Sequence, residues 1–295
     1  MREIEMFKLP QPNFDNLDIV NLLMENMADN VPMKSKLQET QNQRALCSAW
    51  IEYDNLANQH ILHSILAYTE IGVMNNIIGN LNKHELISMY SDYFSKKDKK
   101  IRSIYDTILS QSERCPFCGN IGISSQLDHY LPKQYYPQYS IYPKNLAPIC
   151  RDCNEGFKRA IYATDEKEQW IHPYFDKEIF FNDQWISANY NAINLEDRLA
   201  TVEYFVNPPN SWPLVDQERV RQYFIKLNLG IRFSKEANNQ LQTLIPQLIR
   251  LKQIMQHPML IDFYRESYTN SERPVNHWER IMYHALYEYI ELHPY

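Results

Sequence analysis

Apolar residues recur along much of this chain at the spacing of one helical face. In IRSIYDTILS they fall at positions 101, 104, 105, 108 and 109, the stripe of a helix that buries one side. Between Leu37 and Leu66 the same period runs through Ala45, Leu46, Ala49, Trp50, Leu56 and Ala57, with a break expected near Asp54 or Asn58. Downstream, Val220, Tyr223, Phe224 and Leu227 form a stripe that Gly230 should end. Ala237, Leu241, Leu244 and Leu248 form another in which Pro246 predicts a kink, and Trp278, Ile281, Met282, Ala285, Leu286 and Tyr289 form a third. The period shortens between Gln184 and Pro208. There QWISANYNA and ATVEYFVNPP mix β-branched and aromatic residues with polar ones, which predicts a hairpin.

The 295 residues suffice for two or three subdomains, and no repeat or low-complexity linker separates them. Mostly helical flanks are expected at 1–110 and 181–295, around a distinct segment at 111–180. No run of 18 apolar residues exists, and MREIEMFKLPQP lacks the basic-then-apolar order of a secretory signal. A cytoplasmic, reducing location without a membrane span is the expectation.

The segment at 111–180 is marked by its cysteines. Four of the five form two CxxC pairs, Cys115/Cys118 and Cys150/Cys153, with 31 residues between the pairs. Each pair can place two thiolates about 2.3 Å from one zinc ion, so the spacing predicts a structural four-cysteine site with no open coordination position. A zinc ribbon needs nothing more, yet this stretch also holds Asp128-His129, Asn145 and Asn154. A carboxylate and an amide oxygen suit a hard divalent cation, and a histidine titrating near neutrality can accept a proton from water.

The order DHxxP, then NLxxxCxxCN closing nine residues after Asn145, resembles the HNH endonuclease family over roughly one seventh of the chain, from Cys115 to Lys158. The resemblance implies an α+β fold: a small ββα-metal core with a four-cysteine zinc site, embedded between helical N- and C-terminal regions. It implies hydrolysis of DNA phosphodiester bonds, with RNA left open, using Mg²⁺ or Mn²⁺ held by Asp128 and Asn154. His129 would be the general base and Asn145 the residue orienting its hairpin. Lys158 and Lys133 are expected to contact phosphate. The wider layout is similar to HNH effectors of Septu and retron-associated antiphage systems, which implies an ATPase partner.

A net charge of -6 is unusual for a protein that handles nucleic acid, but the charge is uneven. Residues 96–160 carry eleven basic and six acidic side chains, a surplus of five, against -11 elsewhere. Nucleic acid would meet the basic stretch and a partner protein the acidic remainder. The competing expectation is a zinc-stabilised adaptor that binds nucleic acid or a partner without cutting.

Overall fold

The computed structural model describes residues 8–70, 72–194, 197, 199–270 and 272–294. They fall into two compact units, one of Leu9–Cys115 with Gly122–Asp176, the other chiefly of Lys177–Tyr295 with Pro116–Ile121. The fold is a mixture of helices and small sheets. The helices before residue 110 and the strands at 126–149 share one unit.

In the first unit, helices α1 (Asn16–Glu25), α2 (Pro32–Gln38) and α3 (Thr40–Asn58) pack together. Asp15 caps α1 by accepting from the backbone N–H groups of Leu17 and Asp18. Helix α3 runs unbroken through Asp54 and ends at Asn58, followed by His60 at φ 62. Its buried face carries Asn42, Leu46, Trp50, Tyr53 and Ala57. A short ribbon, β1 (Asn76–Ile78) and β2 (Leu81–Asn82), leads into α4 (Lys83–Ser88), which Asn82 and Glu85 start with a reciprocal capping box. Helix α4 continues as a π-helix, Met89–Phe94, and α5 (Arg102–Leu109) buries the predicted stripe through Ile104, Tyr105 and Ile108.

Strands β3 (Gln126–His129) and β4 (Leu146–Ile149) then pair antiparallel, and the chain turns into a second π-helix, Asp152–Lys158. Leu127 stands opposite Pro148, which has no N–H to offer. The backbone of Leu127 faces away from β4: its N–H donates to the Tyr105 hydroxyl at 3.2 Å and its carbonyl accepts from the Tyr90 hydroxyl at 3.4 Å. Two tyrosines from the flanking helices thus complete the open side of β3, where an unpaired backbone would otherwise be buried.

In the second unit, α6 (Ile179–Asn182) precedes the hairpin β5 (Ile186–Asn191) and β6 (Thr201–Val206), registered from Ile186↔Val206 to Asn191↔Thr201. Ile186, Ala188 and Tyr190 of β5 and Val202 and Tyr204 of β6 are buried at alternate positions. Helices α7 (Leu214–Lys226), α8 (Leu229–Ile254), α9 (His257–Thr269) and α10 (Trp278–Leu292) follow, α8 lying on β6 and α10 on β5. The turn between α7 and α8 is made by Asn228 at φ 50, not by Gly230. Gly230 is needed for closeness instead, since a Cβ there would sit 3.2 Å from the Phe224 ring and 3.3 Å from the Tyr204 carbonyl oxygen. Pro246, where the sequence predicts a kink, lies inside α8. Among the described residues no helix is long and apolar enough to cross a membrane.

Candidate functional site

The four cysteines of the CxxC pairs are reduced and buried, and their sulfurs all lie within 4.8 Å of one another. Sulfurs sharing one tetrahedral zinc at about 2.3 Å would stand about 3.8 Å apart, so the cluster fits a zinc ion with small side-chain adjustments. Local geometry explains the first knuckle. After Cys118 the chain reverses through Gly119 at φ 61 and Asn120 at φ 67, residue types that tolerate the left-handed region. The ends of this loop are tied by an isolated bridge between Arg114 and Ile123 and by the Cys115 N–H donating to the Gly122 carbonyl at 2.8 Å.

Beyond the cysteines, β3 separates two chemistries by simple alternation. Asp128 points to the partly open face and His129 to the buried one, 6% exposed. The His129 Nε2 lies 2.7 Å from the Ser140 carbonyl, which can only accept, so Nε2 carries the proton and Nδ1 is the nitrogen left with a lone pair. Tyr90 packs edge-on against the imidazole at 4.4 Å between centroids, and the same ring lies under the Lys133 ammonium at 4.3 Å. Burial first, then the charge of Lys133, holds the His129 pKa down at about 3, with the Ser140 bond pulling the other way. The ring is neutral at pH 7.

That shift fixes the sign of an acid sensitivity. In the unfolded chain the imidazole takes a proton near 6.5, whereas the folded one refuses it until about 3. Stability contributed by neutral His129 is therefore full above pH 6.5 and is lost as pH falls from 6.5 toward 3, by up to about 5 kcal/mol. The urea midpoint measured from pH 8 to pH 4 should fall steeply below 6.5 in the native sequence and far less in His129→Gln. Equal slopes would show that other groups govern the acid arm.

Asn145 is fully buried and uses its whole side chain. Its Nδ2 donates to the carbonyls of Leu131 and Tyr139, 3.1 Å each, and its Oδ1 accepts from the Leu131 N–H at 2.8 Å. It cinches the base of the loop that follows His129. The tyrosines of that loop are packed: Tyr130, Tyr136, Tyr139 and Tyr142 are all buried, Tyr142 stacking on Trp50 at 5.3 Å.

Lys158 differs from its sequence reading. The motif places it at a phosphate oxygen, yet it is 0% exposed, with its ammonium 2.7 Å from the Asp128 carboxylate and 2.7 Å from the His129 carbonyl. All of that charge is used inside the fold, because the π-helix delivers its last residue back against the end of β3. Lys133, the other expected phosphate contact, is partly exposed and has its pKa lowered by burial, with the Asp128 charge opposing. Asn154 lies in the π-helix, partly buried, and among the described residues its side chain makes no hydrogen bond. In the basic run, Arg102 pairs with Asp106 at 2.7 Å and Lys100 with Glu25 at 3.6 Å, while Lys96 and Lys97 are exposed without an ion pair among the described residues.

Sequence reading missed Tyr90, Tyr105 and the structural duty of Lys158. Tyr90 and Tyr105 belong to apolar helix faces in which a hydroxyl contact 37 or 22 residues away leaves no local trace.

Fold and site together define a mixed α and β protein with a four-cysteine centre suited to zinc and a buried histidine on a two-stranded ribbon. The chain is 36% identical over 222 residues to protein ea31 of Escherichia phage lambda, a match covering 71% of this chain and 74% of the relative, and it belongs to that protein's family. No protein-family profile and no solved structure matches it.

Proposed function

We propose that the chain is an HNH-type, metal-dependent endonuclease that hydrolyses DNA phosphodiester bonds. The observation that carries this reading is the pairing of Asp128 and His129 at the end of β3, with the imidazole held in one tautomer by the Ser140 carbonyl at 2.7 Å. A structural zinc ribbon needs neither group, and a buried histidine with a directed lone pair is what general-base chemistry on water needs.

In this reading Nδ1 of His129 accepts the proton of the attacking water. Lys133 and burial make the free imidazole a weak base. A phosphodiester anion in the site would counter the Lys133 charge and so raise its proton affinity as substrate arrives. Asp128 and Asn154 offer the oxygens that would hold Mg²⁺ or Mn²⁺, and such an ion would screen charge on the phosphoryl group and the leaving oxygen. Lys158 would keep the Asp128 carboxylate from turning away, at 2.7 Å. Lys133 would contribute positive charge beside the scissile phosphate. Asn145 orients the loop and takes no part in bond breaking.

Exposed Lys96 and Lys97 suit duplex phosphates. Replacing both with Ala should reduce the slope of log affinity against log salt by about two, since each phosphate contact contributes about 0.9. A titration with a fluorescent duplex from about 50 to about 300 mM salt measures this, and an unchanged slope would place the DNA elsewhere. An ATPase partner and a part in antiphage defence rest on the resemblance of layout alone, with the acidic surface outside residues 96–160 as the face for such a partner.

The direct test incubates zinc-loaded protein with supercoiled plasmid and with RNA in Mg²⁺, in Mn²⁺ and in chelator. Nicking that requires the divalent cation supports the proposal. Binding of DNA with no cleavage under any of these conditions would leave the adaptor in its place.

A further inference from the structure

Helix α3 and two loops of the same unit enclose a cavity of about 370 Å³ that opens to solvent, within the ~300–1,000 Å³ range of small-ligand sites. None of the residues assigned to zinc or to hydrolysis lines it. Glu52 and Leu56, one turn apart on α3, form one wall, the segment from Ser64 to Tyr68 a second, and Gln138 with Tyr139 a third. These walls are fixed without a ligand. The Trp50 indole donates to the Gln138 carbonyl at 2.9 Å, and the Tyr53 ring meets Tyr139 edge-on at 5.0 Å between centroids. The Tyr68 N–H donates to the Tyr135 carbonyl at 2.8 Å, and the Tyr136 hydroxyl to the Ile65 carbonyl at 3.4 Å. A ligand entering here would not have to order its own site.

The lining favours one kind of ligand. Its one carboxylate is Glu52, and among the described residues no lysine, arginine or histidine lines it. The Ser64 hydroxyl donates to the Ile61 carbonyl at 2.7 Å, which leaves its oxygen able to accept. Gln138 is 6% exposed; its amide N–H bonds the Tyr139 hydroxyl, and its Oε1 has no hydrogen-bond partner among the described residues. A buried acceptor without a donor is uncommon, and a ligand N–H would supply the missing bond. Burial above all, with the nearby charges of Glu52 and Tyr68 and against the Gln138 bond, pushes the Tyr139 hydroxyl up to about 12, so it is neutral at pH 7. The half-buried Tyr68 ring carries no stacked ring or cation among the described residues.

We propose that this cavity binds a guanidinium group carried on an aliphatic stem. The planar cation would lie on the Tyr68 ring and donate to the Gln138 Oε1 and the Glu52 carboxylate. The stem would run along Leu56, Ile65 and Leu66, the last 87% exposed. A phosphate-bearing ligand is disfavoured, because Glu52 would face it with no cation to offset the charge. A free alkylguanidine and an arginine side chain of a polypeptide share the required chemistry. The site does not depend on the nuclease reading.

The test titrates full-length, zinc-loaded protein with butylguanidinium, with neutral butylurea of the same shape, and with a capped tripeptide that has arginine at its centre. Calorimetry and amide NMR shifts follow each titration. Butylguanidinium should saturate one site with a Kd of about 1–10 mM, ordinary for so small a ligand, and shift the signals of Glu52, Leu56 and Gln138. Butylurea should bind at least about tenfold more weakly, having no charge to assist its hydrogen bonds. Gln138→Leu should weaken butylguanidinium about tenfold or more by removing the buried acceptor. Glu52→Lys, on the exposed side of α3, should do the same by setting a cation against the ligand, and it gives the answer if Gln138→Leu does not fold. A tripeptide that binds as tightly as butylguanidinium makes a polypeptide arginine the source, and one that is excluded makes it a free small molecule; both outcomes support the site. Absence of saturation by about 50 mM in the native protein, equal binding of butylurea, or native affinity in Glu52→Lys overturns it.

Discussion

On the proposed nuclease reading, His129→Ala should abolish cation-dependent DNA cleavage, lowering the rate by about 10²–10⁴-fold, the usual contribution of a placed general base. The side chain is buried against Tyr90 and bonded to the Ser140 carbonyl, so its removal also leaves a small cavity and an unpaired carbonyl. A loss of about 2–3 kcal/mol in stability is expected with it. His129→Gln separates the two effects, because its amide can still donate to Ser140 while no group accepts a proton at neutral pH. Its cleavage should fall as far as that of the alanine variant, with stability and zinc content close to native. Cleavage by His129→Gln at more than about a tenth of the native rate would remove His129 from the role of base, since such a residue cannot be worth only a factor of about ten.

Removing zinc should unfold the segment around the cysteines. The sulfurs of Cys115, Cys118, Cys150 and Cys153 converge within 4.8 Å in a buried position, where four thiolates without a cation would repel one another and lose their hydration. Structural zinc contributes about 10–16 kcal/mol in small metal-dependent folds, more than the whole stability of a typical domain. Purified protein should carry about one zinc per chain, and strong chelation or Cys150→Ser should cost the cooperative thermal transition. Cys47, half-buried and outside the cluster, makes the control: Cys47→Ser should leave zinc content intact. Folded protein free of zinc would refute the metal site without touching the argument for His129.

Several elements are legible in the sequence because their cause is local. The stripe at 101–109 forms α5, and the alternation at 186–206 forms the β5–β6 hairpin, since an apolar face has to be buried whatever lies opposite. Local reasoning fails where a neighbour decides the matter. Gly230 reads as a helix stop, but the turn falls on Asn228, and Gly230 is small because Phe224 and Tyr204 approach it. Of the two places where α3 reads as ending, Asp54 and Asn58, the helix stops at Asn58, and Asp54 inside it is paired with the Lys144 ammonium and the Tyr142 hydroxyl, each 2.5 Å away. Lys158 reads as a surface cation because a lysine in the last turn of a helix usually is one. The π-winding of Asp152–Lys158 brings it inward, where Asp128 offsets its charge.

The amino-acid sequence by itself determined the two CxxC knuckles, the placing of Asp128 and His129 on opposite faces of one strand, and most of the helical stripes. Each follows from spacing along the chain, which the backbone's own periods convert directly into direction. Only the tertiary structure decided that the four sulfurs meet, that the Ser140 carbonyl holds one nitrogen of His129, and that Tyr53 stands between Asn145 and His172. Those are contacts between segments far apart in the chain, and a hydrogen bond's direction depends on which donor arrives at an acceptor in space, a fact that spacing along the sequence does not carry.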